Sequence, residues 1–202
     1  EIGVRLVGSE MCIRDRFSEE EILEPTDWVL MNFIMDARTG LGRFRDFKIS
    51  NYQLMMKLID ACKDHSIEEI LQMEDVAERV SLYHEHNELA KAQIAKCATV
   101  HNNLVVLDLT EEETIYATNR FVIYAMYPDC NISIHKMWGL KKQNVVFAIG
   151  KSITNRSSKT NVGELCLKYG GGGHMNAGTC QVETSKAEAV LSELIDSITN
   201  DG

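Results

Sequence analysis

The residues best suited to chemistry form a run of four glycines closed by a histidine, Gly170 to His174. Glycine supplies no side-chain packing, and ordering it costs more backbone entropy than ordering any other residue. Successive free N–H groups in such a loop form an anion-binding concavity, to which the His174 imidazole adds a further donor. The run predicts a phosphate cradle made by Gly171, Gly172, Gly173 and His174. A flexible connection between two elements is the alternative.

A basic segment rich in hydroxyl groups, residues 151–159, lies just upstream of the glycine run. The guanidinium of Arg156 can hold two phosphate oxygens at once, and the hydroxyl of Ser157 is beside it. A helix-like stretch, 162–169, separates this segment from the glycines and is short enough to bring both to one site. We therefore expect Arg156 and Ser157 to contact the same phosphate, with the two lysines of the segment adding positive charge. A polar loop with a solvated charge is the alternative.

A candidate metal ligand, Asp36, follows an apolar run from Val29 to Met35. That run predicts a strand buried on both faces. An aspartate at the carboxyl end of such a strand, before a glycine-containing turn, occupies the usual position of site residues in open α/β sheets. Carboxylate oxygens suit hard divalent ions such as Mn²⁺ or Mg²⁺. An aspartate that caps a helix or a turn is the alternative.

These segments resemble the DHH phosphoesterases, in particular the exopolyphosphatase-like and oligoribonuclease-like members. Residues 155–158, 161–165 and 177–178, together with the glycine run, resemble the DHH-associated C-terminal domain. Residues 31–44 resemble the last motif of the family's N-terminal catalytic domain, and the whole resemblance spans 28–182. It implies an α/β fold that combines the remnant of a parallel-sheet catalytic domain, a bridging helix, and a compact C-terminal α/β domain with a mixed sheet.

The resemblance also implies a chemistry, the metal-dependent hydrolysis of phosphodiester or phosphoanhydride bonds. Its substrates are short oligonucleotides, nucleotides or polyphosphate. Asp36 is then one ligand of a two-metal site for Mn²⁺ or Mg²⁺, and the substrate phosphate is held by Arg156, Ser157, Gly171–Gly173 and His174.

The family's other metal ligands, including its Asp-His-His triplet, do not occur in this sequence. We therefore expect the chain to be the C-terminal part of the enzyme and to be inactive alone. The alternative is a non-catalytic module that binds nucleic acid or nucleotides, because the same domain type occurs beside alanyl-tRNA synthetase-like proteins.

The chain divides into four predicted segments. Residues 1–16 resemble translated sequencing adaptor and are interpreted as a non-native extension. Residues 17–73 correspond to the catalytic-domain remnant, 74–97 to the bridging helix, and 98–202 to the substrate-binding domain. Apolar residues recur at helical spacing through the bridging segment, which is otherwise polar.

The last of these segments alternates strands with helices. His135, on one of the strands, is interpreted as an outward-facing histidine outside the site. The terminal helix is expected to begin with a capping box formed by Ser185 and Glu188. The predicted strands are 104–109, 130–138, 144–149 and 178–183, and the predicted helices are 118–127, 162–169 and 186–199.

Composition sets further bounds. The formal net charge of −9 over 202 residues argues against binding of duplex DNA, which needs a basic face. A short single-stranded nucleic acid, a nucleotide or another small phosphate-bearing substrate in a local basic pocket remains compatible. No stretch approaches the roughly 20 apolar residues of a membrane span, and six cysteines without CxxC spacing indicate reduced thiols in the cytoplasm. The oligomeric state is left open.

Overall fold

The computed structural model describes residues 17–202. The expectation for residues 1–16 lies outside this part of the chain. In chain order the helices are α1 Glu19–Leu23, α2 Asp27–Met35, α3 Asn51–Asp64, α4 Ile67–Leu71, α5 Glu74–Cys97, α6 Val122–Met126, α7 Val162–Leu167 and α8 Ala187–Asp201. The strands are β1 Ala98–His101, β2 Leu104–Asp108, β3 Ile132–Trp138, β4 Val145–Lys151, β5 Gly172–His174 and β6 Ala177–Val182.

The chain forms two compact units. The helical unit consists of Glu20–Gln93 and Thr114–Val122, and the sheet unit consists of 17–19, Ile94–Glu113 and Ile123–Gly202. The predicted α/β class is correct, because the sheet unit holds a six-stranded mixed sheet with helices. No described helix combines the length and the apolar character that crossing a membrane requires.

The strand expected from Val29 to Met35 is wrong, since these residues belong to helix α2. Their side chains are buried at helical spacing, with Leu30, Phe33 and Ile34 facing inward and Trp28 exposed. A short apolar run has no period of its own that separates a buried strand from a buried helix. Asp36 therefore follows the end of a helix rather than the carboxyl end of a strand.

Helix α5 covers the segment predicted as one long helix. Among its many polar residues is one fully buried arginine, Arg79. The guanidinium donates to the carbonyl oxygens of Asp75 at 2.6 Å and Ile49 at 2.7 Å, and it lies 4.0 Å from the centroid of the Phe47 ring. These contacts tie the segment before α3 to α5, which a pattern of apolar residues could not have predicted.

The sheet has the strand order β1-β2-β3-β4-β6-β5. Strands β2 and β3 are parallel, and the other neighbours are antiparallel. Strands β2, β3, β4 and β6 confirm the predicted strands within one or two residues, whereas β1 and β5 were not expected. Strand β1 pairs with β2 across a turn in which Asn102 has a φ of 51°.

The two faces of the sheet differ. One face carries Ile132, Ile134, Phe147, Ile149 and Cys180, which form the core with α7 and α8. We call the other the open face. Its side chains follow from the register and include Ser133 and His135 on β3, Ala148 on β4, Ala177 and Thr179 on β6, and His174 on β5.

Two predicted helices differ in detail from the structure. Only Val122–Met126 of the expected helix 118–127 is α-helical, because the amide of buried Asn119 caps the segment by accepting from the N–H of Phe121. The capping box expected at Ser185 and Glu188 is also wrong, since a 3₁₀ turn over Thr184–Lys186 precedes α8.

Candidate functional site

The glycine run is part of a β-hairpin and not the free loop that the sequence predicts. Gly172, Gly173 and His174 form β5, which pairs with Thr179, Gly178 and Ala177 of β6. The hydrogen bonds of this ladder use some of the backbone groups expected to cradle an anion. Because β5 ends the strand order, its outer side keeps unpaired backbone groups within the described part of the chain.

Close packing of backbone explains two of the glycines. A Cβ atom at Gly171 would lie 2.2 Å from the carbonyl oxygen of Thr179, and one at Gly173 would lie 2.3 Å from that of Ala177. Gly163 of α7 lies against the backbone of Gly173 in the same way. Gly172 differs, since a Cβ atom there would have no neighbour within 4 Å. The run therefore lets helix α7 approach the hairpin while the backbone at Gly172 faces open space.

His174 lies at the exposed end of β5. Its Nδ1 accepts a hydrogen bond of 3.2 Å from the backbone N–H of Asn176. An accepting Nδ1 places the proton of the neutral imidazole on Nε2. The ring is thus oriented by the turn that follows it, and its Nε2–H is the group that can donate to a ligand.

Arg156 and Ser157 lie in a loop, residues 152–161, that joins β4 to α7. Both ends of this loop are fixed to the turn of the β5–β6 hairpin. The N–H of Lys151 donates to the carbonyl of Asn176 at 2.9 Å, and the N–H of Val162 donates to that of Met175 at 3.3 Å. The loop and His174 therefore lie at the same end of the sheet. The contacts described for Arg156 are within its own loop, so a shared anion stays a prediction.

Within the loop, Arg156 is exposed and its Nε donates to the carbonyl of Ile153 at 3.1 Å. The hydroxyl of Ser157 donates to Asn155 Oδ1 at 2.7 Å and accepts from Asn131 Nδ2 at 2.9 Å. Since the hydroxyl has one proton, Ser157 has no free donor for a phosphate while these bonds persist. Its role is to hold the loop to Asn131, the residue before β3. The guanidinium of Arg156 is therefore the better candidate for anion contact.

Asp36 lies between helix α2 and a 3₁₀ turn over Ala37–Thr39, in the helical unit. One carboxylate oxygen accepts from the backbone N–H of Arg38 at 2.9 Å, which caps the turn. The Arg38 guanidinium also donates to both oxygens, at 2.8 Å to Oδ1 and 2.6 Å to Oδ2. Burial alone would raise the pKa of this carboxyl, but the bonds from Arg38 outweigh it and hold the pKa below its ordinary value.

The described residues do not assemble a metal site around Asp36. No group of three His, Cys, Asp or Glu side chains within residues 17–202 is arranged to hold an ion. The chemistry of one carboxylate suits Mn²⁺ or Mg²⁺, but its oxygens already accept from Arg38. To bind an ion as one of its ligands, the Asp36 carboxylate must give up its hydrogen bonds from Arg38. Its role as a metal ligand therefore stays a prediction.

His135 is a residue that the sequence interpretation left out of the site. It lies on the open face and is only half-buried, yet burial lowers its pKa to about 4. No described residue hydrogen-bonds its side chain. Alternation along β3 indicated a side chain opposite Ile134, but only the pairing of β3 with β4 and β6 places it on the face of His174.

Comparison with family models finds no match, and neither does comparison with curated proteins. Among solved structures, the pGpG-specific phosphodiesterase PggH of Vibrio cholerae is 64% identical to this chain with a TM-score of 0.90. The match covers 93% of this chain and 64% of that one.

Two more distant structures were also found. An exopolyphosphatase-related protein of Bacteroides fragilis is 16% identical over 72% of this chain and 42% of its own, with a TM-score of 0.48. The DHH domain of a member of a ribosomal-protein family is 14% identical over 73% of this chain and 39% of its own, with a TM-score of 0.41.

Together with the motifs around Asp36 and from Arg156 to His174, the match to the Vibrio phosphodiesterase supports a phosphoesterase fold. This match agrees with the resemblance of the motifs to the DHH phosphoesterases. The chain spans 64% of the length of the Vibrio enzyme.

Proposed function

We propose that the full-length protein is a phosphodiesterase that hydrolyses short linear oligonucleotides, with pGpG as its principal substrate. The observation that carries this proposal is the 64% identity, over 93% of this chain, to an enzyme named for that substrate. An identity this high across both units makes a shared substrate class the simplest expectation.

In this proposal the sheet unit holds the substrate. The guanidinium of Arg156, the outer edge of β5 and the Nε2–H of His174 bind phosphate oxygens at one end of the sheet. These donors are held in place by the contacts of their own loop and turn. Fixed donors position the reacting group and stabilise charge that develops on it. Each charge-assisted hydrogen bond contributes about 1.5–3 kcal/mol.

Asp36 in this proposal is one ligand of a divalent metal ion, Mn²⁺ or Mg²⁺, whose other ligands belong to the remainder of the full-length protein. Such an ion supplies a nucleophilic water at neutral pH. Arg38 keeps the Asp36 carboxylate ionised, which is the form that would hold such an ion. This chain by itself is expected to bind substrate without turning it over.

The test is release of guanosine monophosphate from pGpG by the full-length protein in Mn²⁺, measured beside this chain alone. We expect turnover by the former and binding without turnover by the latter. Cyclic di-GMP, a longer oligonucleotide and polyphosphate serve as competing substrates. Absence of turnover of pGpG in both Mn²⁺ and Mg²⁺ would overturn the proposal.

A second candidate is a non-catalytic nucleotide-binding module. The ion pair that occupies both oxygens of Asp36 favours it, because a carboxylate used for structure needs no metal. The same experiment separates the two candidates, since a binding module retains pGpG with unchanged affinity whether or not Mn²⁺ is present.

A further inference from the structure

The open face of the sheet places a second histidine beside the hairpin. The register aligns His135 with Ala148, Thr179 and Gly172 in one row across β3, β4, β6 and β5. The neighbouring row contains Ser133, Gly150, Ala177 and His174. Paired residues share a face, so the side chains of His135 and His174 project on the same side. Three strand spacings of about 4.8 Å separate β3 from β5, roughly 14 Å in all.

The floor between the two histidines is made of small residues. Gly150, Ala148, Ala177 and Thr179 leave little side chain above the backbone of β4 and β6. At one end, the hydroxyl of Tyr124 donates to the carbonyl of Gly150 at 2.8 Å and lies 2.8 Å from the hydroxyl of Ser133. A Cβ atom at Gly150 would lie only 3.2 Å from the hydroxyl oxygen of Tyr124. We call this strip of small residues the trough; the Tyr124 hydroxyl lies at its Ser133 end, and Thr179 on the other side is exposed.

The chemical state of His135 suits recognition of an uncharged polar group. Because burial lowers its pKa to about 4, the imidazole is neutral near pH 7. A neutral imidazole offers one donor and one acceptor, and in His135 neither is used by a described residue. A half-buried polar ring without a partner loses hydrogen-bonding free energy unless a ligand or water restores it.

We propose that His135 is a specificity-determining residue that contacts the nucleobase of the substrate, which lies in the trough while its phosphate is held at His174 and Arg156. This inference rests on the proposed function and adds the part of the site that reads the base. Guanine presents O6 and N7 as acceptors along one edge. The imidazole N–H donates to that edge, and the small floor lets the flat ring lie close to the sheet.

The test compares pGpG with ribose 5-phosphate, which keeps a 5′-phosphate but has neither a nucleobase nor a second nucleotide, by isothermal titration with the full-length protein. The wild type is expected to bind pGpG more tightly. His135→Ala should weaken binding of pGpG about tenfold, the equivalent of one hydrogen bond, and leave ribose 5-phosphate unchanged. His135→Gln, which keeps a donor and an acceptor, should recover most of the loss.

His101→Ala is the matched control. This histidine is in the same sheet, but its pairing with Leu104 puts it in the row of Ile132, on the core face. It should change neither affinity. Should both His135 variants fail to fold, Ala148→Leu decides, because a longer side chain on the floor must weaken binding of pGpG and spare ribose 5-phosphate.

Two results would overturn the inference. One is an equal loss for both ligands in His135→Ala, which marks a structural role. The other is a wild type that binds the two ligands equally. The proposed function is judged separately by turnover. Hydrolysis of pGpG that is indifferent to His135 ends this inference alone, and base-selective binding without hydrolysis ends the proposed function alone.

Discussion

The Asp36 turn and the His174 hairpin are both identified by sequence as site segments, but they differ in how their polar groups are used. Both oxygens of Asp36 accept hydrogen bonds from Arg38, and one also caps a turn. His174 is exposed, and within residues 17–202 its ring bonds through Nδ1 alone, which leaves Nε2–H to donate to a ligand. The carboxylate of the Asp36 turn already has its hydrogen-bond partners within the turn, whereas the His174 imidazole still has a donor for a ligand.

This difference separates two ways in which a residue serves a site. Asp36 stabilises the fold through its bonds with Arg38, and it can bind a metal ion only if those bonds are broken. His174 contributes little to the fold and can bind at once. Substitutions should therefore cost stability at one segment and affinity at the other.

The largest effect is expected from the glycines of the hairpin. Gly171→Ala brings a Cβ atom to 2.2 Å from the Thr179 carbonyl oxygen and 2.7 Å from the Cys180 Cα. Because neither backbone atom can rotate away, this change should lower the free energy of unfolding by about 3 kcal/mol. Urea denaturation of this chain measures it.

Gly172→Ala is the control for that experiment, since its Cβ atom would meet nothing within 4 Å. Its free energy of unfolding should change by less than about 1 kcal/mol. Equal losses for the two variants would show that close packing is not the reason for the glycines.

A smaller effect is expected from the polar residues themselves. Asp36→Ala removes a cap and an ion pair, and should lower the free energy of unfolding by about 1 kcal/mol. His174→Ala should change it by less than about 0.5 kcal/mol, because the residue is exposed. A larger loss from His174 than from Asp36, measured by the same denaturation, would reverse the comparison.

The smallest effect concerns pH. The pKa of Asp36 is below its ordinary value in the folded chain, so its ion pair stabilises the fold above the unfolded pKa of about 3.9. That contribution is lost as the pH falls through the lower folded pKa. Arg38→Ala leaves the burial that raises the pKa and removes the bonds that lower it.

Carboxyl NMR titration should show the pKa of Asp36 higher in Arg38→Ala than in the wild type. The stability difference between the two proteins should shrink below about pH 3.9. An unchanged pKa would mean that Arg38 does not control the carboxylate in solution.

Sequence patterns sufficed where residues alternate or recur with a clear period. Strand β4 and the long helix α5 are of this kind, since burial alternates along β4 and the buried residues of α5 recur at helical spacing. The apolar run before Asp36 has no such pattern. Only its packing, with Phe33 6.3 Å from Phe121 in ring centroids, determines that it is a helix.

The site shows the same limit. The residue types of Arg156 and His174 indicated anion contact, and the structure puts both at one end of the sheet. The pairing of the glycines as a strand depends on β6, and the occupied hydroxyl of Ser157 depends on Asn131, which is distant in sequence. Both follow from tertiary contacts that no local pattern contains.

The central claim is that Arg156 and His174 hold one phosphate. It is tested most directly by a double-mutant cycle of Arg156→Ala and His174→Ala, with the affinity of the full-length protein for pGpG as the readout. Arg156→Ala alone should weaken binding by about ten- to a hundredfold. If both side chains contact the same group, the double variant should lose less than the sum of the single losses, with a coupling of at least about 0.5 kcal/mol. Strictly additive losses, or an Arg156→Ala affinity equal to that of the wild type, would contradict the claim.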